Sequence, residues 1–187
     1  MELVVYLANG KQERFVQNDP AVVTQMLADL QFGRMFSSST IVFGSASNCT
    51  LVHSQQICRI DLLTDKPVSM PEGLGTRTLI EDEATFRTRA LAATLAMQDG
   101  VQPGADYLGY VCVEMLGGHR LLMEVEQKLR DQMQLFTNLH RIIEHPVISI
   151  PHPRGGAVLV NSKNIVSLSM TPGITEYPKG SWLVEPA

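Results

Sequence analysis

Positive charge is in short supply in this chain: 15 Lys and Arg stand against 19 Asp and Glu, a net charge of −4. Binding along a phosphate backbone normally needs clustered cations, so the bulk charge argues against nucleic acid as a partner. Long apolar runs are missing too. No stretch approaches the ~20 residues a membrane helix requires, so no membrane partner is expected. The opening MELVVYLANG has an acid at position 2 and lacks a basic flank, a long apolar segment and a small-residue cleavage site, so it reads as a strand and not as a secretory leader. Cysteine is scarce: Cys49, Cys58 and Cys112 are an odd set without C-x-x-C spacing. Reduced thiols in a cytoplasmic protein fit that set better than a disulfide framework does.

Signature motifs are absent as well. The chain contains no G-x-x-x-x-G-K-[ST] phosphate loop, no G-x-G-x-x-G after a strand and no G-x-S-x-G elbow. FGSAS (43–47) has a serine after a glycine but no second glycine and no following helix, so it reads as a turn. No catalytic residue and no cofactor are expected. Among the five histidines, His140 and His145 would lie about 140° apart around a helix and cannot share a metal. His140 and Glu144 do share a face, but a third ligand would have to come from His119 or His152, and no metal site is expected.

What the chain does contain is an echo. TLVHSQQICRIDLL (50–63) sets two apolar runs around a polar corner, and VLVNSKNIVSLSM (158–170) spells the same pattern, with Val52 and Val160 standing 108 positions apart. The same offset relates Gly10 to Gly118, each after an apolar strand, and Ser47-Asn48 to Gly155-Gly156, each between strand-like runs. Asn9-Gly10 and Gly117-Gly118 are two-residue hairpin signals of the type I′ kind, which needs positive φ at both central positions.

Helical segments fit between these strands. Asp19 is a candidate N-cap with Pro20 at the first helical position, opening AVVTQMLADLQFGRMF with Val23, Met26, Leu27 and Leu30 on one face. In the second half, QKLRDQMQLFTNLHRIIEH aligns Leu129, Met133, Phe136, His140 and Ile143 along a stripe, and Pro146 disfavours helix at His145. The expected fold is α+β: two tandem β-β-α-β-β-β modules related by the 108-residue offset, with antiparallel sheets carrying helices on one face. A module of about 62 residues is marginal alone, so two copies gain by sharing a buried face. The boundaries read as 1–63 for the first module, 64–106 for a linker, 107–170 for the second module and 171–187 for a tail.

Within the linker, DKPVSMPEGLGT holds two prolines and two glycines and reads as an extended loop. A helix over about 82–98 follows, with Phe86, Ala90, Ala93 and Met97 on a narrow apolar stripe, expected to bridge the modules. The tail carries three of the ten prolines and the only tryptophan, Trp182. It can pack on its own sheet or reach a neighbouring subunit.

Two places are candidates for binding. In HPRGG (152–156), Arg154, Gly155 and Gly156 could present backbone N–H groups to an anion, or simply make a glycine-dependent hairpin turn. The corners carry His53, Ser54 and Gln56 in one copy and Asn161, Ser162 and Asn164 in the other, where side chains at strand ends can bind or can serve the turn itself. VLVNSKNIVSL also resembles the second conserved segment of Sm-like RNA-binding proteins, in which a strand, an Arg-Gly turn and an Ile-rich strand follow one another. It shares the apolar spacing and lacks the Arg-Gly. That resemblance implies RNA binding.

Three functional readings follow. The first is a non-enzymatic assembly or regulatory module acting through protein–protein contacts, most simply as a homo-oligomer. The second is a small-ligand or anion-binding protein, or an enzyme, with a cleft between the modules and with His53, Arg154 and His119 as residues to watch. The third is Sm-like nucleic-acid binding. The first is favoured, because no constellation of catalytic residues is visible and sheet edges are expected.

Overall fold

The structure is a computed structural model that describes residues 1–44, 48–70, 77–96, 104, 106–173 and 177–182. The described residues form eleven strands in three antiparallel sheets together with three α-helices, an α+β fold. The first half runs β1 (Glu2–Leu7), β2 (Gln12–Val16), α1 (Pro20–Asp29), β3 (Thr40–Gly44), β4 (Cys49–His53), a 3-10 corner (Ser54–Gln56) and β5 (Ile57–Leu63). After β6 (Arg77–Ile80) and α2 (Glu83–Ala96), the second half runs β7 (Asp106–Met115), β8 (Arg120–Lys128), α3 (Gln132–Glu144), β9 (Val147–Pro151), β10 (Gly156–Asn161), a 3-10 corner (Ser162–Asn164) and β11 (Ile165–Thr171).

Registers in the two halves correspond. Glu2 pairs with Leu63 and Tyr110 with Thr171, each member of the second pair lying 108 beyond its counterpart in the first. The β1·β5 ladder slips between Tyr6 and Leu7 so that Leu7 meets Ile57; the β7·β11 ladder slips so that Met115 meets Ile165, again 108 further on. In each half the 3-10 corner turns the chain out of one sheet and into another: β4 and β5 lie in different sheets, as do β10 and β11.

The halves join by strand pairing. β10 of the second half adds antiparallel to β5 of the first, giving the order β2-β1-β5-β10-β9. One core gathers Val5, Leu7, Phe32, Val52, Ile60 and Leu159, and another gathers Val111, Val113, Leu121, Met123, Val158 and Val160. Because β5 has a strand on each side and a core on each face, all seven of its residues are buried. The remaining sheets are β11-β7-β8-β6 and the β3-β4 hairpin.

Local chemistry explains the helix ends. Asp19 accepts hydrogen bonds from the Ala21 and Val22 amides at the start of α1, and Pro20 fills the first helical position. Asp131 caps α3 through the Gln134 amide, and His145 turns extended ahead of Pro146. α1 is shorter than its sequence implies: it stops at Asp29, and Phe32–Arg34 form a separate 3-10 turn that buries Phe32.

Four local expectations are corrected. Asn9-Gly10 is not a type I′ turn, since only Gly10 has positive φ (83°). The Leu7 amide bonds Lys11 O and the Gly10 amide bonds Leu7 O, a three-residue loop with glycine in the left-handed position. α3 buries Leu135 and Ile142, while Met133, Phe136, His140 and Ile143 look outward; the stripe chosen from sequence lies on the wrong face. β6, read from sequence as part of a linker, pairs with β8 and extends the second sheet. α2 packs on that same sheet, with Phe86 edge-on to Tyr110, Ala90 buried and Arg89 bridging Glu81 and Glu124. Met97, the last member of its expected stripe, lies outside the described residues, as does Ser47, which the repeat aligned with Gly155.

Candidate functional site

The strand-corner-strand element places the residues singled out from sequence, and the two corners meet. Asn161 ends β10 with its side chain buried, and its Nδ2 donates to the carbonyls of Ser54 (3.2 Å) and Ile57 (3.0 Å) across the junction. Asn164 Nδ2 donates to the carbonyls of Gln55 (2.8 Å) and Ile57 (2.9 Å). Both amides of the second corner therefore grip the backbone of the first. Ser54 and Ser162 are buried beside them. Such bonds satisfy carbonyls that a tight corner would otherwise leave buried without partners. His53 sits differently: it is exposed, and its side chain does not cap the 3-10 corner that follows it.

The HPRGG turn joins β9 to β10. Gly155 and Gly156 have φ of 87° and 90°, and a Cβ on Gly156 would fall 1.9 Å from Leu62 O. The glycines thus admit the end of β5 against the turn. The Arg154 amide donates to His152 Nδ1 (3.0 Å) and the Gly155 amide to His152 O (3.0 Å), so both are engaged within the turn. Arg154 itself is largely exposed, with its guanidinium 4.0 Å from Glu2.

A polar cluster that sequence reasoning missed lies on β5. Arg59 Nε and Nη2 bind the two Asp61 oxygens at 2.6 and 2.7 Å, a buried bidentate pair on one face of the strand. Tyr6 OH donates to Asp61 (3.0 Å), and the Arg59 guanidinium stacks 4.6 Å from the Tyr6 ring centre. Burial, foremost, raises the Tyr6 pKa, so the phenol stays protonated. His119 meets the Tyr6 ring edge-on and places Nε2 2.8 Å from Leu7 O. Burial lowers the His152 pKa, and the lone pair at Nδ1 is already committed to the Arg154 amide. The signal was present in ICRIDLL, where Arg and Asp two apart in an apolar strand must share a face.

Chemically this cluster is closed on itself. Arg59, Asp61 and Tyr6 satisfy one another, and Cys58, beside them in sequence, is a buried thiol whose pKa burial pushes up to about 11. Neither is set up as a nucleophile or base. His140 pairs with Glu144 at 3.2 Å on the exposed face of α3, and among the described residues no three His, Cys, Asp or Glu side chains gather as a metal site. A groove of about 320 Å³ lies between β2 and the β3-β4 hairpin, lined by Leu3, Phe15, Met26 and Phe43, with Phe15 stacked on Phe43 at 4.2 Å.

No family model, curated protein or solved structure matches the chain. Among the described residues no helix is long and apolar enough to cross a membrane.

The remaining notable feature, among the described residues, is a set of strand edges without a neighbour. β4 and β11 are terminal strands of their sheets, and both expose apolar side chains: Leu51 at 63% and Val166 at 62%. Neither CTLVH nor IVSLSMT contains Lys, Arg, Asp, Glu or Pro. The other strand of the hairpin, β3, is likewise free of them and exposes Val42, whereas the terminal strands β2, β6 and β9 carry Glu13 with Arg14, Arg77 and Pro151, residues that discourage edge pairing.

Proposed function

We propose that the protein is a non-enzymatic assembly module that works through protein–protein contacts at its open sheet edges. The observation that carries this reading is that the β3-β4 hairpin and β11 end their sheets, among the described residues, in strands without charge or proline, with Val42, Leu51 and Val166 turned to solvent. Edges of this kind template pairing with another strand, and natural proteins that do not use them block them. The polar cluster on β5 supports the same reading from the other side, since its groups bind one another.

The two β-β-α-β-β-β series are, on this reading, tandem copies of one module, supported by shared registers and a shared slip in the ladder. Duplication then gives a chain whose two halves bind each other with one set of edges and hold the other set open. A cytoplasmic setting fits the free thiols of Cys49, Cys58 and Cys112.

Amide hydrogen exchange tests this proposal. Amides of residues 49–53 and 165–171 that point away from β3 and β7 should be protected in concentrated protein and lose protection on dilution. Rapid exchange of those amides at every concentration would contradict it.

A further inference from the structure

The chain carries the template for its own partner. Inside it, the fourth strand of the second half, β10, pairs with the last strand of the first half, β5: Ala157 faces Leu62, Leu159 faces Ile60 and Val160 faces Arg59. Subtracting 108 from residues 157–161 of β10 gives the β4 positions, and adding 108 to each β5 residue gives the β11 positions. Ala157 and Leu62 become Cys49 and Met170; Leu159 and Ile60 become Leu51 and Leu168. Both β4 and β11 are terminal strands of their sheets, each paired on one side only among the described residues.

Burial contrasts at matching positions point the same way. Leu159 is 0% exposed whereas Leu51 is 63% exposed, and Cys58 is 0% exposed whereas Val166 is 62% exposed. Leu159 and Cys58 lie in the two cores of the joined halves, and Leu51 and Val166, of similar apolar character, lack that cover within one chain. Within one chain β4 and β11 do not meet: β4 pairs with β3 and β11 with β7, in different sheets.

We infer that β11 of one chain pairs antiparallel with β4 of a second copy, Cys49 opposite Met170 and Leu51 opposite Leu168, reproducing between chains the β5·β10 joint within one. This rests on the assembly reading and names its partner and register. The joint is head-to-tail, so each chain offers β4 to one neighbour and β11 to another; it closes into a ring or runs on as a filament according to the rotation per step. The proposed pairs bring no like charges together. The corners follow the same arithmetic. Gln56 stands where Asn164 does, and its amide would donate to the carbonyls of Lys163 and Ile165 in the next chain, as Asn164 donates to Gln55 and Ile57 within this one. His53 takes the place of Asn161, and its exposure in the single chain fits a residue waiting for that contact.

Cross-linking tests the register. Directly opposed Cβ atoms lie ~4.5–5.5 Å apart in an antiparallel pair, close enough for a disulfide after small adjustment. Full-length Met170→Cys, oxidised mildly, should give a ladder of covalent multimers on a non-reducing gel. The ladder should vanish with reductant and with Cys49→Ser. If Met170→Cys disturbs folding, Leu51→Cys with Leu168→Cys in a Cys49→Ser background probes the next pair of the same ladder. A native protein of multi-chain mass in which neither variant cross-links would overturn this register while leaving the assembly reading in place. A native protein of single-chain mass at every concentration overturns the register and also removes the self-association on which it rests.

Discussion

At the scale of single residues, the buried Arg59–Asp61 pair has the largest consequences. Its two short bonds, the Tyr6 hydroxyl and the stacked Tyr6 ring compensate two charges held inside the protein. Removing one partner strands the other, a loss that typically costs ~3–5 kcal/mol. Asp61→Ala should therefore lower unfolding free energy by about that amount in urea titration; a change within the ordinary surface range of about ±0.5 kcal/mol would show the pair to be dispensable. His152 gives a pH dependence of defined sign. Its folded pKa lies below the ordinary value of about 6.5, because burial disfavours the cation. As pH falls, the unfolded chain takes up the proton first, so this contribution is full above that value and is lost as pH drops through it toward the folded pKa. Melting temperature should fall on mild acidification, and His152→Asn, which keeps an acceptor for the Arg154 amide, should flatten that fall. An unchanged slope in the variant would assign the acid sensitivity elsewhere.

Among the elements, the strand-corner-strand unit decides the architecture, and it was legible before any coordinates. TLVHSQQICRIDLL and VLVNSKNIVSLSM announced two strands around a polar corner, and the structure has 3-10 turns at Ser54–Gln56 and Ser162–Asn164. Val52 and Val160 are both buried, each in a different core. Val160→Asp should abolish folding, seen as loss of the cooperative thermal transition, because a lone carboxylate there has no partner. A folded, cooperative variant would contradict its place in the core. Other elements were illegible for identifiable reasons. α3 has apolar residues on more than one face, and periodicity could not say whether Leu135 and Ile142 or Phe136 and Ile143 would meet the sheet. β6 is four residues long and follows a Pro- and Gly-rich stretch, so its pairing with β8 is fixed by the sheet and not by its own pattern. At the candidate site, Asn161 stands at the corner that the sequence singles out, and its amide bonds the backbone of the opposite corner. Arg59 and Asp61 went unchosen, although their spacing carried the signal.

For the whole molecule, the arrangement of edges matters more than any single contact. Among the described residues the sheets leave several terminal strands, yet β2, β6 and β9 bear charges or a proline whereas β11 and both strands of the β3-β4 hairpin bear neither. The halves already show how such edges are filled, through β5·β10 with corner asparagines fastening the joint. Trp182, at 91% exposed, adds an aromatic to the surface. Leu51 offers the most direct test because it is solvent-exposed in one chain and central to the proposed joint. The measurement is the mass in solution, by multi-angle light scattering, of the native chain and of Leu51→Lys. The native protein should have a mass above the 20.6 kDa of one chain, and Leu51→Lys should fall to 20.6 kDa with an unchanged melting temperature of the single chain. A native mass of one chain, or a variant that assembles as the native protein does, would contradict assembly through this edge.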